Sequence, residues 1–194
     1  MSSELSILIV EDQALDAELL EHELRRIGLK FKSLRVYTRD TLAEALREFV
    51  PDLILSDFSM PTDLDGFSAL GVARQYAPDT PFIFVSGTIG EERAVDAMKA
   101  GATDYVLKDR LERLGPVVTR ALQEARDRVA IQETQKALRA SESRFRSFMR
   151  HLPGRASISD ENGRYTYVNE YWQEAHGNSA DAVVGRTYDE VWDR

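Results

Sequence analysis

The chain has 194 residues, 43% of them hydrophobic and 30% charged, with no cysteine and a formal net charge of −8. That length holds one full domain of roughly 100–150 residues and part of a second, with the composition of a folded globular protein rather than a disordered one. The acidic balance argues against direct nucleic-acid binding, the missing thiols exclude disulfides and thiolate chemistry, and no apolar run nears the roughly 20 residues of a membrane span.

Up to about residue 125, strand and helix signals alternate with little loop between them, the pattern of a doubly wound parallel sheet. Leu5 to Val10 reads as a buried strand, and Leu15, Leu19, Leu24 and Ile27 form a helical stripe capped at Gly28. Phe31, Leu34 and Val36 mark a weaker strand, expected at the sheet edge. Thr41-Leu42-Ala43-Glu44 reads as a capping box for a helix with Leu42, Ala45, Leu46 and Phe49 inward, stopped by Pro51. Leu53 to Leu55 lead into Asp57, Gly66 to Tyr76 is a third helix, and Pro81 to Ser86 is a buried strand. Glu91 to Ala100 is a fourth helix closed by Gly101, and Asp104 to Lys108 is the fifth strand. The expected strand order is 2-1-3-4-5.

From Leu111 to about Leu152 the pattern stays helical, with Gly115-Pro116 expected to kink or restart it. Val118, Leu122, Ala125 and Val129 repeat at heptad spacing, as do Ile131, Leu138, Phe145 and Leu152, but the two series are out of phase near Val129 to Ile131. This predicts a homodimer through residues 116–152, against the plainer reading of a helix folded back on its own domain. After Pro153-Gly154 come two short alternating runs, Ala156 to Ile158 and Tyr165 to Val168, joined through Asn162-Gly163 as a hairpin. Asn169 then caps a helix over Glu170 to His176, and Gly185 marks a turn.

Four strand ends carry polar groups: Glu11-Asp12, Asp57, Ser86 and Lys108. In an open parallel sheet these ends converge on one crevice. An acidic pair, a lone carboxylate, a hydroxyl and an ammonium there make a magnesium-assisted site for placing a phosphoryl group on Asp57. Each residue alone has a plainer reading: Glu11-Asp12 as a helix start, Ser86 as a turn, Lys108 as a surface cation, Tyr105 as core packing. Their joint placement favours chemistry.

These residues resemble the receiver domain of two-component response regulators, a flavodoxin-like fold. The motifs are Ile7 to Asp12, Asp52 to Asp57 with Met60-Pro61 and Asp65-Gly66, Val85-Ser86-Gly87, and Gly101 to Lys108, within a domain of residues 1–122. The resemblance implies that Asp57 accepts phosphate from a histidine kinase or phosphotransfer protein. It also implies that Asp12, Asp57 and the backbone carbonyl of Ser59 hold Mg2+ or Mn2+, with Glu11 acting through water. Ser86 and Lys108 would contact the phosphoryl group, and Ser86 and Tyr105 would form the switch. The loop Pro61 to Gly66 is one residue longer than the common form. Ser59 and Thr88 occupy positions that tune hydrolysis in the family, and Asp109 replaces a frequent proline, which implies a trans or strained bond after Lys108. A helical coiled-coil linker over 116–152 follows. Residues 144–194 resemble the N-terminal part of a PAS sensory domain, α+β in character, whose ligand the sequence does not name. The chain thus reads as part of a larger receiver-PAS protein, in which a kinase or cyclic-dinucleotide output often follows.

Met1-Ser2-Ser3-Glu4 lacks a basic signal-peptide start, so a cytoplasmic protein without membrane contact is expected. His22 lies in a segment similar to a kinase phosphoacceptor but without the supporting proline or a nucleotide-binding glycine box. His151 and His176 are isolated histidines, read as packing or surface residues rather than haem ligands. Two other function classes are an unphosphorylated receiver-like scaffold and an aspartate-nucleophile phosphohydrolase. The latter typically carries a second aspartate where this chain has Ser59. No enzyme activity is expected in the chain beyond its own phosphorylation and dephosphorylation.

Overall fold

The computed structural model describes residues 4–60, 64–87 and 91–192, and the chain divides into two units, Met1–Ala130 and Ile131–Arg194. In the first, strands β1 (Leu5–Val10), β2 (Phe31–Val36), β3 (Leu53–Asp57), β4 (Phe82–Ser86) and β5 (Asp104–Leu107) alternate with helices α1 (Ala14–Arg26), α2 (Arg39–Glu48), α3 (Gly66–Tyr76) and α4 (Glu91–Lys99). All four pairings are parallel and the order is β2-β1-β3-β4-β5, as the strand patterns predict. β1, β3 and β4 are buried throughout, whereas the outer strand β2 is mostly exposed or half-buried.

Apolar side chains alternate between the two sheet faces. Leu8, Val10, Ile54, Phe82 and Phe84 join residues of α2, α3 and α4 in one core, while Ile7, Ile9, Leu53, Leu55, Ile83 and Val85 join α1 and the helix after β5 in the other. The register sets Val10 beside Ser56, Asp57 beside Val85 and Ser86 beside Leu107, so the carboxyl ends of β1, β3, β4 and β5 finish nearly level.

Three local expectations are corrected. On α1 the buried residues are Ala17, Leu20 and Leu24, whereas Leu15 is 79% exposed and Leu19 and Ile27 also face out. The helix carries two leucine pairs, Leu15/Leu19 and Leu20/Leu24, and the second, with Ala17, is the one packed in the core. The C-terminal signal holds: Gly28 has φ +82°, its N–H donates to the Arg25 carbonyl, and that of Leu29 donates to the Leu24 carbonyl. Helix α2 begins at Arg39, with Thr38 and Thr41 forming the capping box, rather than at Thr41 with Glu44. Hydroxyls at both positions can satisfy the same backbone donors.

Near Gly115-Pro116 the helix restarts as expected but does not kink. After a 3₁₀ segment Lys108–Arg113, helix α5 runs from Leu114 to His151 without a break. Pro116 lies in its first turn, where no intrahelical N–H bond is lost. The start of the predicted dimer seam is buried instead. Val118 and Leu122 are buried in the core of their own unit with Leu114, Val117 and Ala121, so the start of the 116–152 series packs on its own sheet. Val129, Ile131, Leu138 and Phe145 of the predicted series remain exposed.

In the second unit, β6 (Ser157–Ser159) and β7 (Tyr165–Val168) pair antiparallel as the Asn-Gly signal predicts. Asp160 Oδ1 accepts from the N–H groups of Asn162 and Arg164, each at 2.9 Å, and Gly163 takes φ +74°. Short helices α6 (Glu170–His176), α7 (Ala180–Val183) and α8 (Tyr188–Trp192) follow, and Tyr165, Val168, Trp172 and Val183 form the core. Asn169 caps α6 through a 3.0 Å bond from the Trp172 N–H. No helix among the described residues is long and apolar enough to cross a membrane.

Candidate functional site

The β1 ladder continues one residue beyond the strand, because the Glu11 N–H donates to the Val36 carbonyl at 3.0 Å. Arg35 of β2 donates to the carbonyls of Glu11 and Asp12 at 3.1 and 3.2 Å, which fixes the turn into α1. The Glu11 side chain is fully buried. Its Oε1 accepts from the Gln13 N–H at 3.0 Å and its Oε2 from Lys108 Nζ at 2.9 Å. Asp57, at the end of β3, accepts from the Ser59 N–H on Oδ1 at 3.1 Å and from Lys108 Nζ on Oδ2 at 2.9 Å.

Glu11, Asp12 and Asp57 each bring one carboxylate oxygen within 4.8 Å of the others. Three hard oxygen donors this close suit a hard divalent cation. Burial raises the Glu11 carboxyl above its ordinary pKa and the Asp57 charge adds to this, although the Lys108 and Gln13 hydrogen bonds pull the other way. For Lys108 burial opposes the charge, but hydrogen bonds to Asp16, Glu11 and Asp57 outweigh it and raise the ammonium above its ordinary range. The lysine is a firm cation.

The fold therefore brings together Glu11, Asp12, Asp57 and Lys108, four of the residues singled out in the sequence. Ser59 joins them through its N–H, while Ser86 ends the neighbouring strand and is buried. Tyr105 sits beside Phe84 in the β4–β5 pairing and packs, half-buried, on the core shared with α3 and α4. Thr88 and the longer loop at Pro61 to Asp63 lie outside the described residues. No cis peptide occurs among the described residues, so the bond between Lys108 and Asp109 is trans. His151 and His176 set their Nδ1 atoms against the carbonyls of Ser147 and Trp172, and the His176 ring stacks on Trp172 at 4.2 Å.

One participant was missed: Asp16, in the first turn of α1, is ion-paired with Lys108. An acid four residues after Asp12 at a helix start was the available signal, but its partner is 92 residues away. Around the acceptor, Phe58 packs edge-on against Phe84 and Phe67, both pairs at 5.2 Å, and Arg93 of α4 lies over the Phe58 ring.

Residues 7–119 match the family of the response regulator receiver domain. The luminescence regulatory protein LuxO of Vibrio campbellii is 33% identical over 118 residues, which are 60% of this chain and 25% of that protein. The transcriptional regulatory protein ZraR of Salmonella typhimurium is 33% identical over 124 residues, 63% of this chain and 27% of its own length. The chain thus spans about a quarter of these relatives, in line with the 25% and 27% shares. Among solved structures, NtrX of Brucella abortus aligns with TM-score 0.60 and 25% identity over 68% of this chain and 30% of its own. The receiver domain of a Pseudomonas aeruginosa sensor histidine kinase, with a magnesium ion coordinated in its active-site cleft, aligns with TM-score 0.54 and 24% identity over 62% of this chain and 99% of its own. At that identity the likeness concerns the fold.

Proposed function

The chain belongs to the response regulator receiver domain family, and from that premise we propose that it is a phosphoacceptor switch of a two-component phosphorelay, taking a phosphoryl group on Asp57 from a histidine kinase or phosphotransfer protein. The observation that carries this reading is the convergence of Asp57, Lys108 and the acidic pair at the carboxyl ends of β1, β3 and β5. An oxygen of Asp57 attacks phosphorus, a P–O bond forms, the P–N bond to the donor imidazole breaks, and the electron pair leaves on that nitrogen. The nucleophile is already a carboxylate, so no base is needed. Lys108 steadies the charge on the transferring group, and the buried Ser86 hydroxyl lies one strand over to hydrogen-bond a phosphoryl oxygen.

Asp12, Asp57 and the Ser59 carbonyl would hold Mg2+ or Mn2+, with Glu11 acting through water. The cation supplies neutralisation of the repulsion between two anions. In the switch, the new dianion draws Ser86 toward it and Tyr105 turns into the vacated space, changing the surface near α4 and β5. Residues 144–194 are read as the N-terminal part of a PAS-like module, supported by the β6–β7 hairpin and the three short helices around Trp172. The homodimer is assigned to the part of α5 beyond Leu122, supported by the exposed Ile131, Leu138 and Phe145. The heptad phase slip falls where the two units divide, between Ala130 and Ile131.

Intact-mass spectrometry after incubation with acetyl phosphate and Mg2+ tests the assignment. Wild type should gain one phosphoryl group and Asp57→Asn none. Equal uptake by both overturns Asp57 as acceptor, and no uptake by either favours the unphosphorylated scaffold.

A further inference from the structure

Lys108 is the only cation bonded to Asp57 among the described residues, and its ammonium has three N–H donors. All three are engaged by carboxylates: Glu11, Asp57 and Asp16. A phosphoryl oxygen reaching this lysine must take over one of those donors, and the three carboxylates differ in how readily they release it.

Glu11 is fully buried, with its other oxygen already held by the Gln13 N–H. Losing the lysine would strand a desolvated acceptor, the costlier kind of broken bond. The bond to Asp57 holds the ammonium beside the attacking carboxylate. Asp16 is different: its side chain is 38% exposed and it belongs to α1 rather than to a strand end. Water can replace the lysine there at little cost.

We propose that Asp16 is a positioning residue that acts through Lys108, holding one of its three N–H donors so that an incoming phosphoryl oxygen must compete for it. This rests on the phosphoacceptor reading. Asp16 therefore slows phosphoryl uptake, and removing its charge while keeping its reach releases Lys108 toward the transferring group. With acetyl phosphate the balance is simple: Asp57 oxygen bonds to phosphorus as the P–O bond to acetate breaks, and acetate leaves with the electron pair.

The test compares initial rates of uptake from acetyl phosphate with Mg2+ by intact-mass spectrometry in the full chain. Asp16→Asn keeps an acceptor oxygen for Lys108 but no charge, and should speed uptake by about three- to tenfold, the scale of one charge acting across a partly exposed site. Asp16→Ala should also be faster, and Asp16→Glu should return toward the wild-type rate. Glu18→Gln removes a charge from an exposed position of the same helix without touching Lys108, and should leave the rate unchanged. An unchanged or slower rate in both Asp16→Asn and Asp16→Ala overturns the proposal, as does an equal gain in Glu18→Gln, which would make the effect one of net charge. Uptake by wild type with no Asp16 effect leaves the phosphoacceptor reading standing, whereas no uptake by wild type removes both.

Discussion

Replacing Gly66 by alanine places a methyl group where the fold has no room for one. An ideal Cβ at this position lies 2.8 Å from Phe84 Cε1, 2.9 Å from the Phe58 Cα and 3.0 Å from the Phe58 carbonyl oxygen, whereas ordinary contact begins near 3.4 Å. The Phe84 ring cannot simply swing aside, because it is fully buried and packs edge-on against Phe58 at 5.2 Å and Phe82 at 5.0 Å. The backbone is also pinned, since the Gly66 N–H donates to the Phe58 carbonyl at 3.2 Å. Overpacking of this kind costs about 1–3 kcal/mol, and the lower chain entropy of alanine returns about 0.5–1 kcal/mol. A net loss of about 1–2 kcal/mol should lower the melting temperature of the first unit by roughly 3–8 °C. Gly71, on the same helix, is the control: a Cβ there would meet nothing within 4 Å, and Gly71→Ala should gain about 0.5–1 kcal/mol. Urea unfolding followed by far-UV circular dichroism reports mainly the first unit, while fluorescence of Trp172 and Trp192, the two tryptophans of the chain, follows the second separately. Because Phe58 follows Asp57, phosphoryl uptake should fall together with stability. Gly66→Ala as stable as wild type, or Gly71→Ala equally damaging, would refute the steric argument.

Asp65 caps α3 by accepting from the Ser68 N–H at 2.8 Å, and hydrogen bonding to Ser68 holds its carboxyl below the ordinary pKa. Its stabilisation is therefore present above the ordinary carboxylate range and lost as pH falls through the lowered value; Asp65→Ala should cost about 1 kcal/mol at neutral pH and progressively less in acid, as read by urea titrations across pH. Asn169 is buried and holds the N–H groups of Ala156 and Trp172 and the carbonyls of Met149 and Gly154. Asn169→Ala should destabilise the second unit by about 2–4 kcal/mol in tryptophan-monitored unfolding, with the dichroism of the first unit little changed. On α5, Leu122→Ala should cost about 2–5 kcal/mol of first-unit stability without altering association, whereas Leu138→Glu should weaken dimerisation in sedimentation experiments and leave stability nearly unchanged.

The order of elements in the first unit, the edge position of β2, the Asn-Gly hairpin and the Asn169 cap were all legible in the chain before folding. Each of these depends on neighbours a few residues apart: an apolar run, a capping side chain, a glycine that accepts positive φ. The positions of Glu11, Asp12, Asp57 and Lys108 at strand ends were legible too, because a parallel sheet turns separate strand termini into one surface. Which face of a helix is buried is a different kind of question. α1 offered two leucine stripes and α5 offered residues at heptad spacing, and only packing against the sheet selected Ala17, Leu20 and Leu24 on one and Val118 and Leu122 on the other. The pairing of Asp16 with Lys108 was likewise beyond local reading, since it joins a helix start to a strand end 92 residues away. A helix face and an ion pair become definite only when the sheet brings a second surface against them, because burial is a property of two surfaces and a sequence pattern describes one.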